Sequence, residues 1–155
     1  MLDYLKKGIN LAQIKKAFIW AREAEIHTVC CLIIGQPYDT PRSINDTYEF
    51  GLELQSYGAR VVYSVSTPFP GTYMYNKAKG LGLDIFDHNF DHYNTITPVY
   101  NTVNFTGQEI RSMHFEGIIK LLSGLQQHTS QAEINELASR LRKGLKPDAQ
   151  RIKLS

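Results

Sequence analysis

The sequence predicts an α/β fold in which two parallel strands alternate with helices, followed by further helices toward the carboxyl end. Two short apolar runs rich in β-branched residues, Val29–Ile34 and residues 61–66, predict the strands. A helical segment separates them, as a parallel pair requires. Each run leads directly into a turn that contains glycine and proline. Because ligands bind α/β sheets at the carboxyl ends of the strands, both turns fall where a small molecule is expected.

Composition and charge are those of an ordinary globular protein. The 155 residues are enough for a sizeable core, and a net charge of +2 is too small to indicate a nucleic-acid partner. No apolar run approaches the roughly 20 residues that span a bilayer, and the amino terminus lacks the order of a signal peptide. We therefore expect a cytoplasmic protein without a membrane partner.

The first two helices have clear start signals. Asn10 is a suitable N-cap with Gln13 three residues later, and this helix is predicted to run to about residue 24. Thr40 and Pro41 open the second helix, which is predicted to run to about residue 57. Gly58 then suits the position just after the helix end.

The remaining elements are less regular. A short helix is predicted over residues 73–79, followed by a long aromatic connection over 81–104 that shows little periodicity. A capping box at 106–109 predicts a helix to about residue 126, and a second one at 130–133 predicts a last helix. This organisation predicts a main domain over residues 1–126 and a helical extension with a frayed tail over 127–155.

Two strands are few for a domain of this size. Both edges of a two-stranded parallel sheet are unpaired, which is a liability for a free-standing protein. Either the long connection supplies more strands, or the chain is part of a larger sheet, and we favour the larger sheet. The adjacent cysteines Cys30 and Cys31 point to opposite faces of the first strand, and we expect two buried thiols there rather than metal ligands.

Several segments together resemble a known family. The chain resembles the carboxy-terminal half of a radical S-adenosylmethionine (SAM) domain, over roughly residues 4–125. Within that family it looks like the branch that often carries a cobalamin-binding domain and includes the magnesium-protoporphyrin monomethyl ester oxidative cyclases. The segments that carry the resemblance are Lys7-Gly8-Ile9-Asn10, residues 32–40, residues 67–72, residues 93–103 and the Thr106-x-x-Glu109 helix start.

The resemblance implies a partial (β/α) barrel in which the two strands are the fifth and sixth. It also implies that the first turn lies against the adenine of SAM, through backbone groups and an apolar side chain, and that the second turn helps to close the cofactor site. The implied cofactor-binding residues are Ile33, Ile34, Gly35 and Pro37 in the first turn, and Thr67, Pro68, Phe69 and Pro70 in the second. A small-molecule substrate would bind nearby.

One departure from the family is decisive. The family's chemistry starts at a Cys-x-x-x-Cys-x-x-Cys loop that binds a [4Fe–4S] cluster, and this chain has only the neighbouring Cys30 and Cys31. We therefore assign it no catalytic residue and no metal ligand. We expect it to act with the amino-terminal half of the same enzyme, which would bring the cluster, and we expect the isolated chain not to cleave SAM. Cobalamin is a further cofactor that this branch of the family uses.

Several side chains have two interpretations. Gln36 either reaches a substrate or faces solvent, and Tyr63 and Tyr73 either line a substrate pocket or pack around the second strand. His88 and His92 would bind zinc if they shared a helix face, but hydrogen bonding in a loop is the favoured interpretation. Asp39 and Asp46 have the residue type for acid–base chemistry, but their places near a helix start favour a structural role.

Two other classes of function compete with the enzyme fragment. The chain could be a non-catalytic half-barrel that forms homo-oligomers or other assemblies through its exposed strand edges. An α/β barrel enzyme without a cluster ranks last, because no nucleophile or metal set is identifiable.

Overall fold

The computed structural model describes residues 7–124, and its elements alternate as the sequence predicts. The first four are helix α1 (Leu11–Glu23), strand β1 (Val29–Ile34), helix α2 (Pro41–Ser56) and strand β2 (Arg60–Val65). They are followed by helix α3 (Tyr73–Asn76), strand β3 (Asp84–Ile85), strand β4 (Tyr100–Asn101) and helix α4 (Gly107–Gly124). The helix predicted from residue 130 and the proposed tail over 127–155 lie outside the described residues.

Strands β1 and β2 pair in parallel and in register. Ile34 lies opposite Val65 at the carboxyl ends, and the Ser66 N–H extends the ladder by donating to the Ile34 carbonyl at 2.9 Å. Both strands therefore end at the same edge of the sheet, which confirms the predicted α/β fold with parallel strands.

The predicted helix starts are confirmed by their capping geometry. Asn10 and Gln13 form a reciprocal capping box at the start of α1, and Thr40 and Ser43 form one at the start of α2. Gly58 has φ +88° just after the end of α2, as predicted. The helix predicted over 73–79 is wrong in its length, because α3 ends at Asn76 and a separate 3₁₀ turn covers Lys79–Leu81.

Helices cover only one face of the parallel sheet. Ile34 and Tyr63 belong to a buried cluster that includes residues from α2 and α4. Side chains on the other face are exposed, with exposed fractions of 60% for Val29, 46% for Ile33 and 37% for Val62. The apolar sequence of the first strand predicts burial on both faces of the sheet. That expectation is wrong for the described chain, because no element of residues 7–124 covers the face opposite the helices. We call this exposed surface of β1 and β2 the open face.

The two edges of the parallel sheet differ. The outer edge of β2 is covered toward its carboxyl end, since the Val65 N–H donates to the Thr95 carbonyl at 2.7 Å and the Tyr63 carbonyl lies 2.8 Å from His114 Nε2. Strands β3 and β4 form a separate antiparallel pair, so the long connection does not extend the parallel sheet. At the outer edge of β1, no strand from residues 7–124 pairs with the chain.

His114 supports a prediction about the pH dependence of stability. Its ring is buried between α4 and β2, where Nε2–H donates to the Tyr63 carbonyl, and Nδ1 has no partner among the described residues. Burial lowers the pKa of His114. As the pH falls through about 6.5, the ring is therefore protonated in the unfolded chain but stays neutral in the folded chain until the pH is lower. The stability that depends on neutral His114 is thus complete above about pH 6.5 and is lost as the pH falls toward the lower pKa of the folded state.

We expect the free energy of unfolding to fall by about 1 kcal/mol more between pH 7.5 and 5.5 in the wild-type chain than in His114→Gln. Urea unfolding at the two pH values measures this difference. His88→Gln is the control, because it makes the same substitution at an exposed position. Equal pH dependence in His114→Gln and the wild type would contradict the prediction.

Candidate functional site

The two glycine- and proline-containing turns lie side by side at the carboxyl edge of the parallel sheet. The first turn, residues 35–40, follows β1, and the second turn, residues 66–72, follows β2. They begin next to the register partners Ile34 and Val65, so they are neighbours as the sequence predicts. This edge is where parallel α/β sheets bind their ligands.

Gly35 starts the first turn in a conformation and a space that suit glycine. Its φ is +77°, and an added Cβ would lie 2.9 Å from Ile110 Cγ2 and 3.0 Å from the Tyr100 hydroxyl oxygen. The Tyr100 hydroxyl donates to the Gly35 carbonyl at 2.5 Å. Burial raises the pKa of Tyr100 above its usual range, so this hydroxyl keeps its proton as a donor.

Asp39 organises the rest of the first turn. The side chain is 2% exposed, with Oδ2 accepting from the Gln36 N–H and Oδ1 from the Ser43 hydroxyl, both at 2.8 Å. Burial raises the pKa of Asp39, while these hydrogen bonds act in the opposite direction. Asp46, in contrast, is exposed on α2. The two carboxylates are therefore in different environments, and Asp39 has the structural role that its position near a helix start predicts.

The backbone polar groups of the first turn are used within the protein. The Gly35 carbonyl accepts from Tyr100, the Gln36 N–H donates to Asp39, and the Gln36 carbonyl accepts from the Asp39 N–H at 3.0 Å. The resemblance implies that backbone groups of this turn contact the adenine. In this chain each of those groups of Gly35 and Gln36 already has one partner within the protein, and these bonds hold the shape of the turn.

The second turn starts with residues that are held in place, and exposed side chains follow them. At its start, the Thr67 hydroxyl donates to the Asn94 carbonyl at 2.5 Å, and Pro68 is buried. Thr72 caps α3 and its hydroxyl donates to the Phe69 carbonyl at 2.6 Å. Phe69 and Tyr73 follow the held residues, with 41% and 70% of their surfaces exposed.

The predicted site residues therefore fall into two groups. Those that a ligand could reach are Ile33, Thr67, Phe69, Pro70 and Tyr73, of which Thr67 is half-buried. Those that are buried at the turns are Ile34, Gly35, Gln36, Pro37 and Pro68, and Tyr63 is buried within β2. Tyr63 lies on the helix-covered face and donates to the Tyr48 carbonyl at 3.3 Å, which agrees with the packing interpretation. Gln36 is only 7% exposed, so the solvent-facing interpretation is wrong.

No charged side chain occurs in the segments that surround the two turns, apart from the buried Asp39. Residues 28–38, 61–76 and 93–108 contain no Asp, Glu, Lys or Arg, although 21% of the whole chain is charged. Ligand contacts at this edge would therefore be apolar or would use neutral hydrogen-bonding groups.

The histidine and cysteine residues do not assemble into a metal site in the described part of the chain. His92 pairs with Asp87 through Nδ1 and Oδ2 at 2.7 Å, in an exposed loop, and residues 7–124 contain no group of three or more potential ligands. Cys30 is half-buried on the helix-covered face, and burial raises the pKa of its thiol. Cys31 is exposed on the open face. The expectation of two buried thiols is thus wrong for Cys31 as far as residues 7–124 go, because none of their elements covers that face.

Within residues 7–124, no helix is both long enough and apolar enough to cross a membrane.

Comparison with known proteins finds distant relatives. No protein-family model matches the chain. It is 29% identical over 113 residues to an uncharacterized methyltransferase of Pyrococcus horikoshii, and 28% identical over 109 residues to the anaerobic magnesium-protoporphyrin IX monomethyl ester cyclase of Cereibacter sphaeroides. These matches cover 73% and 70% of the chain but only 24% and 17% of the two relatives. The chain thus spans about a quarter or less of the length of these proteins.

The second relative carries the name of the cyclase group that the turns resemble. The chain is thus distantly similar to a member of that group over most of its length.

Proposed function

We propose that the chain supplies the last two strands of a radical SAM partial barrel, with the two turns forming the adenine-side wall of the SAM site. The observation that carries this proposal is the in-register parallel pairing of β1 and β2, which puts both turns at one edge of the sheet. The distant similarity to the cyclase supports the same assignment.

Hydrogen bonding at the two edges of the β1–β2 sheet supports the proposal that these strands lie at the end of a larger sheet. Successive residues of a parallel strand direct their N–H and C=O groups to alternate sides. Because β1 bonds to β2 through Thr28 and Ile34 at the ends of the ladder, the backbone groups of Val29, Cys31 and Ile33 face away from β2. No described strand pairs with them, whereas the opposite edge of β2 is covered toward its carboxyl end by the chain itself. A further strand would therefore be added beside β1, and the amino-terminal half of the same enzyme is the proposed source.

The open face supports the same arrangement. In a (β/α) barrel the helices cover the outside of the strands, and the other face lines the interior. Here α2 and α4 cover one face, and the open face carries Val29, Cys31, Ile33, Val62 and Ser64, with the exposed Arg60 at its amino-terminal end. This small and mainly apolar surface is of the kind expected to line an interior.

SAM would contact the reachable residues of this wall. Ile33 has its side chain on the open face and its backbone groups at the unpaired edge of β1, so it is the proposed apolar contact to the adenine. Thr67, Phe69 and Pro70 would close the site from the second turn, and Tyr73 would contact the substrate. When SAM and a [4Fe–4S] cluster are bound, their chemistry is the reductive formation of a 5′-deoxyadenosyl radical.

The cluster ligands would come from outside the described residues. Cys30 and Cys31 point to opposite faces and do not fit a cluster, so this chain contributes to binding and orientation. Cobalamin is included in the proposal only because the branch of the family that the chain resembles often carries a cobalamin-binding domain. The reaction would be of the oxidative cyclase or methyltransferase type.

Calorimetric titration with SAM tests this function. We expect weak or undetectable binding to the chain alone, and clear binding after co-purification with an upstream half that carries the Cys-x-x-x-Cys-x-x-Cys loop. In that complex, Ile33→Asp should weaken SAM binding tenfold or more. Ile26→Asp is the matched control, because Ile26 is also exposed but precedes the opposite end of β1, and its replacement should leave the affinity unchanged. Absence of SAM binding by the wild-type complex, or equal effects of the two variants, would contradict the proposal.

A non-catalytic assembly module is the second candidate, because the unpaired edge of β1 could also pair with a second copy of the chain. Light scattering separates the two functions. A stable dimer that Cys31→Pro disrupts would favour the assembly module. A monomeric chain would contradict that function.

A further inference from the structure

The long connection between α3 and α4 contacts both turns of the candidate site. On the first turn, the Tyr100 hydroxyl donates to the Gly35 carbonyl, and Asn104 Nδ2 donates to the Asp39 carbonyl at 2.7 Å. These contacts join residues that are 65 positions apart in the sequence. The connection therefore fixes the backbone of the first turn at both ends.

The same connection fixes the start of the second turn. The Asn94 carbonyl accepts from the Thr67 hydroxyl, and the Thr95 carbonyl accepts from the Val65 N–H. Asn94 is itself held in a tight turn, because its Oδ1 accepts from the N–H groups of Ile96 and Thr97 at 2.9 and 2.7 Å. The two turns are thus held relative to each other by one segment.

Tyr100 is the residue of this segment that contacts the start of the first turn. It pairs with Ile85 in the β3–β4 ladder, which fixes its backbone, and its side chain is fully buried. Its hydroxyl donates to the carbonyl of Gly35, which is the first residue of the first turn. The absence of a Cβ on Gly35 leaves the space that this hydroxyl occupies.

We propose that Tyr100 is a positioning residue, whose hydroxyl holds the start of the first turn in the shape that a ligand meets. This inference rests on the proposed function for its ligand, SAM, but the positioning itself can be tested without SAM. Tyr100 is buried behind the turns and has no direct contact with the ligand in this arrangement. Its effect on binding would come only through the backbone of Gly35.

Amide hydrogen exchange of the 155-residue chain tests the positioning. In Tyr100→Phe, the Gly35 carbonyl loses its donor, and we expect amide exchange in residues 35–39 to rise tenfold or more while exchange in α2 stays unchanged. Tyr63→Phe is the matched control, since it also removes a buried tyrosine hydroxyl that donates to a backbone carbonyl, but on the helix-covered face. Unchanged exchange in residues 35–39 of Tyr100→Phe, or an equal rise in Tyr63→Phe, would overturn the inference.

The SAM affinity of the complex with the upstream half separates this inference from the proposed function. If the wild-type complex binds SAM, Tyr100→Phe should raise the dissociation constant about tenfold, and Tyr63→Phe should leave it unchanged. This difference should remain when the two variants have the same melting temperature. Equal dissociation constants for Tyr100→Phe and the wild type would overturn the role in ligand binding. If the wild-type complex does not bind SAM, the proposed function and the ligand role fail together, whereas the exchange result decides the positioning by itself.

Discussion

Replacing Gly35 with alanine is expected to lower the free energy of unfolding by about 3 kcal/mol. Part of this cost is backbone strain, because φ at Gly35 is +77° and a left-handed conformation costs a non-glycine residue about 1 kcal/mol. The rest is overpacking, because the new Cβ would lie 2.9 Å from Ile110 Cγ2 and would displace the Tyr100 hydroxyl. Urea unfolding of the purified chain measures the change.

Gly71→Ala is the matched control for Gly35→Ala. Gly71 lies in the second turn with φ +86°, but an added Cβ there would have no atom within 4 Å. This variant should therefore show the backbone cost of about 1 kcal/mol without the overpacking cost. If both alanine variants lose the same stability, the close packing of the first turn against Tyr100 and Ile110 is not what makes glycine necessary.

Replacing Asp39 with alanine is expected to cost about 2 kcal/mol. The change leaves the buried Gln36 N–H without its acceptor, and the Ser43 hydroxyl keeps only the Thr40 carbonyl as its acceptor, at 3.1 Å. Burial raises the pKa of Asp39, which means that the folded protein disfavours its charged form, and removal of that charge offsets part of the loss. Thermal and urea unfolding at pH 7 measure the net effect.

Asp46→Ala is the control for Asp39→Ala. Asp46 is also an aspartate near the start of α2, but it is exposed, and we expect its replacement to change stability by less than about 0.5 kcal/mol. Similar small losses in the two variants would show that Asp39 does not organise the first turn.

The local elements of this fold could be predicted from the sequence. The start of α1 follows from Asn10 and Gln13, the start of α2 from Thr40 and Pro41, and its end from Gly58, because capping depends on residues within one turn of the helix end. Strand β1 was predicted with its observed bounds, and β2 to within one residue at its ends, from their apolar β-branched runs. The parallel pairing followed from the helix between them.

Features that depend on residues distant in the sequence could not be predicted. The apolar run of β1 indicates burial on both faces, but only the helices that pack on one of them belong to the described chain. The contact of Tyr100 with Gly35 joins residues 65 positions apart, and no local pattern indicates it. The role of Asp39 had a local signal, because it follows Gln36 by three residues and directly precedes the N-cap Thr40, but only its burial in the structure shows what that position does.

Alkylation of the two adjacent cysteines tests most directly whether the open face lines the inside of a larger enzyme. Iodoacetamide labelling, read residue by residue by tandem mass spectrometry, compares exposed Cys31 on the open face with half-buried Cys30 on the helix-covered face. In the chain alone, Cys31 should react much faster than Cys30. In the complex with an upstream half and SAM, Cys31 should become at least tenfold slower while Cys30 keeps its rate. A Cys31 that reacts equally fast in the chain alone and in a SAM-binding complex would contradict this arrangement.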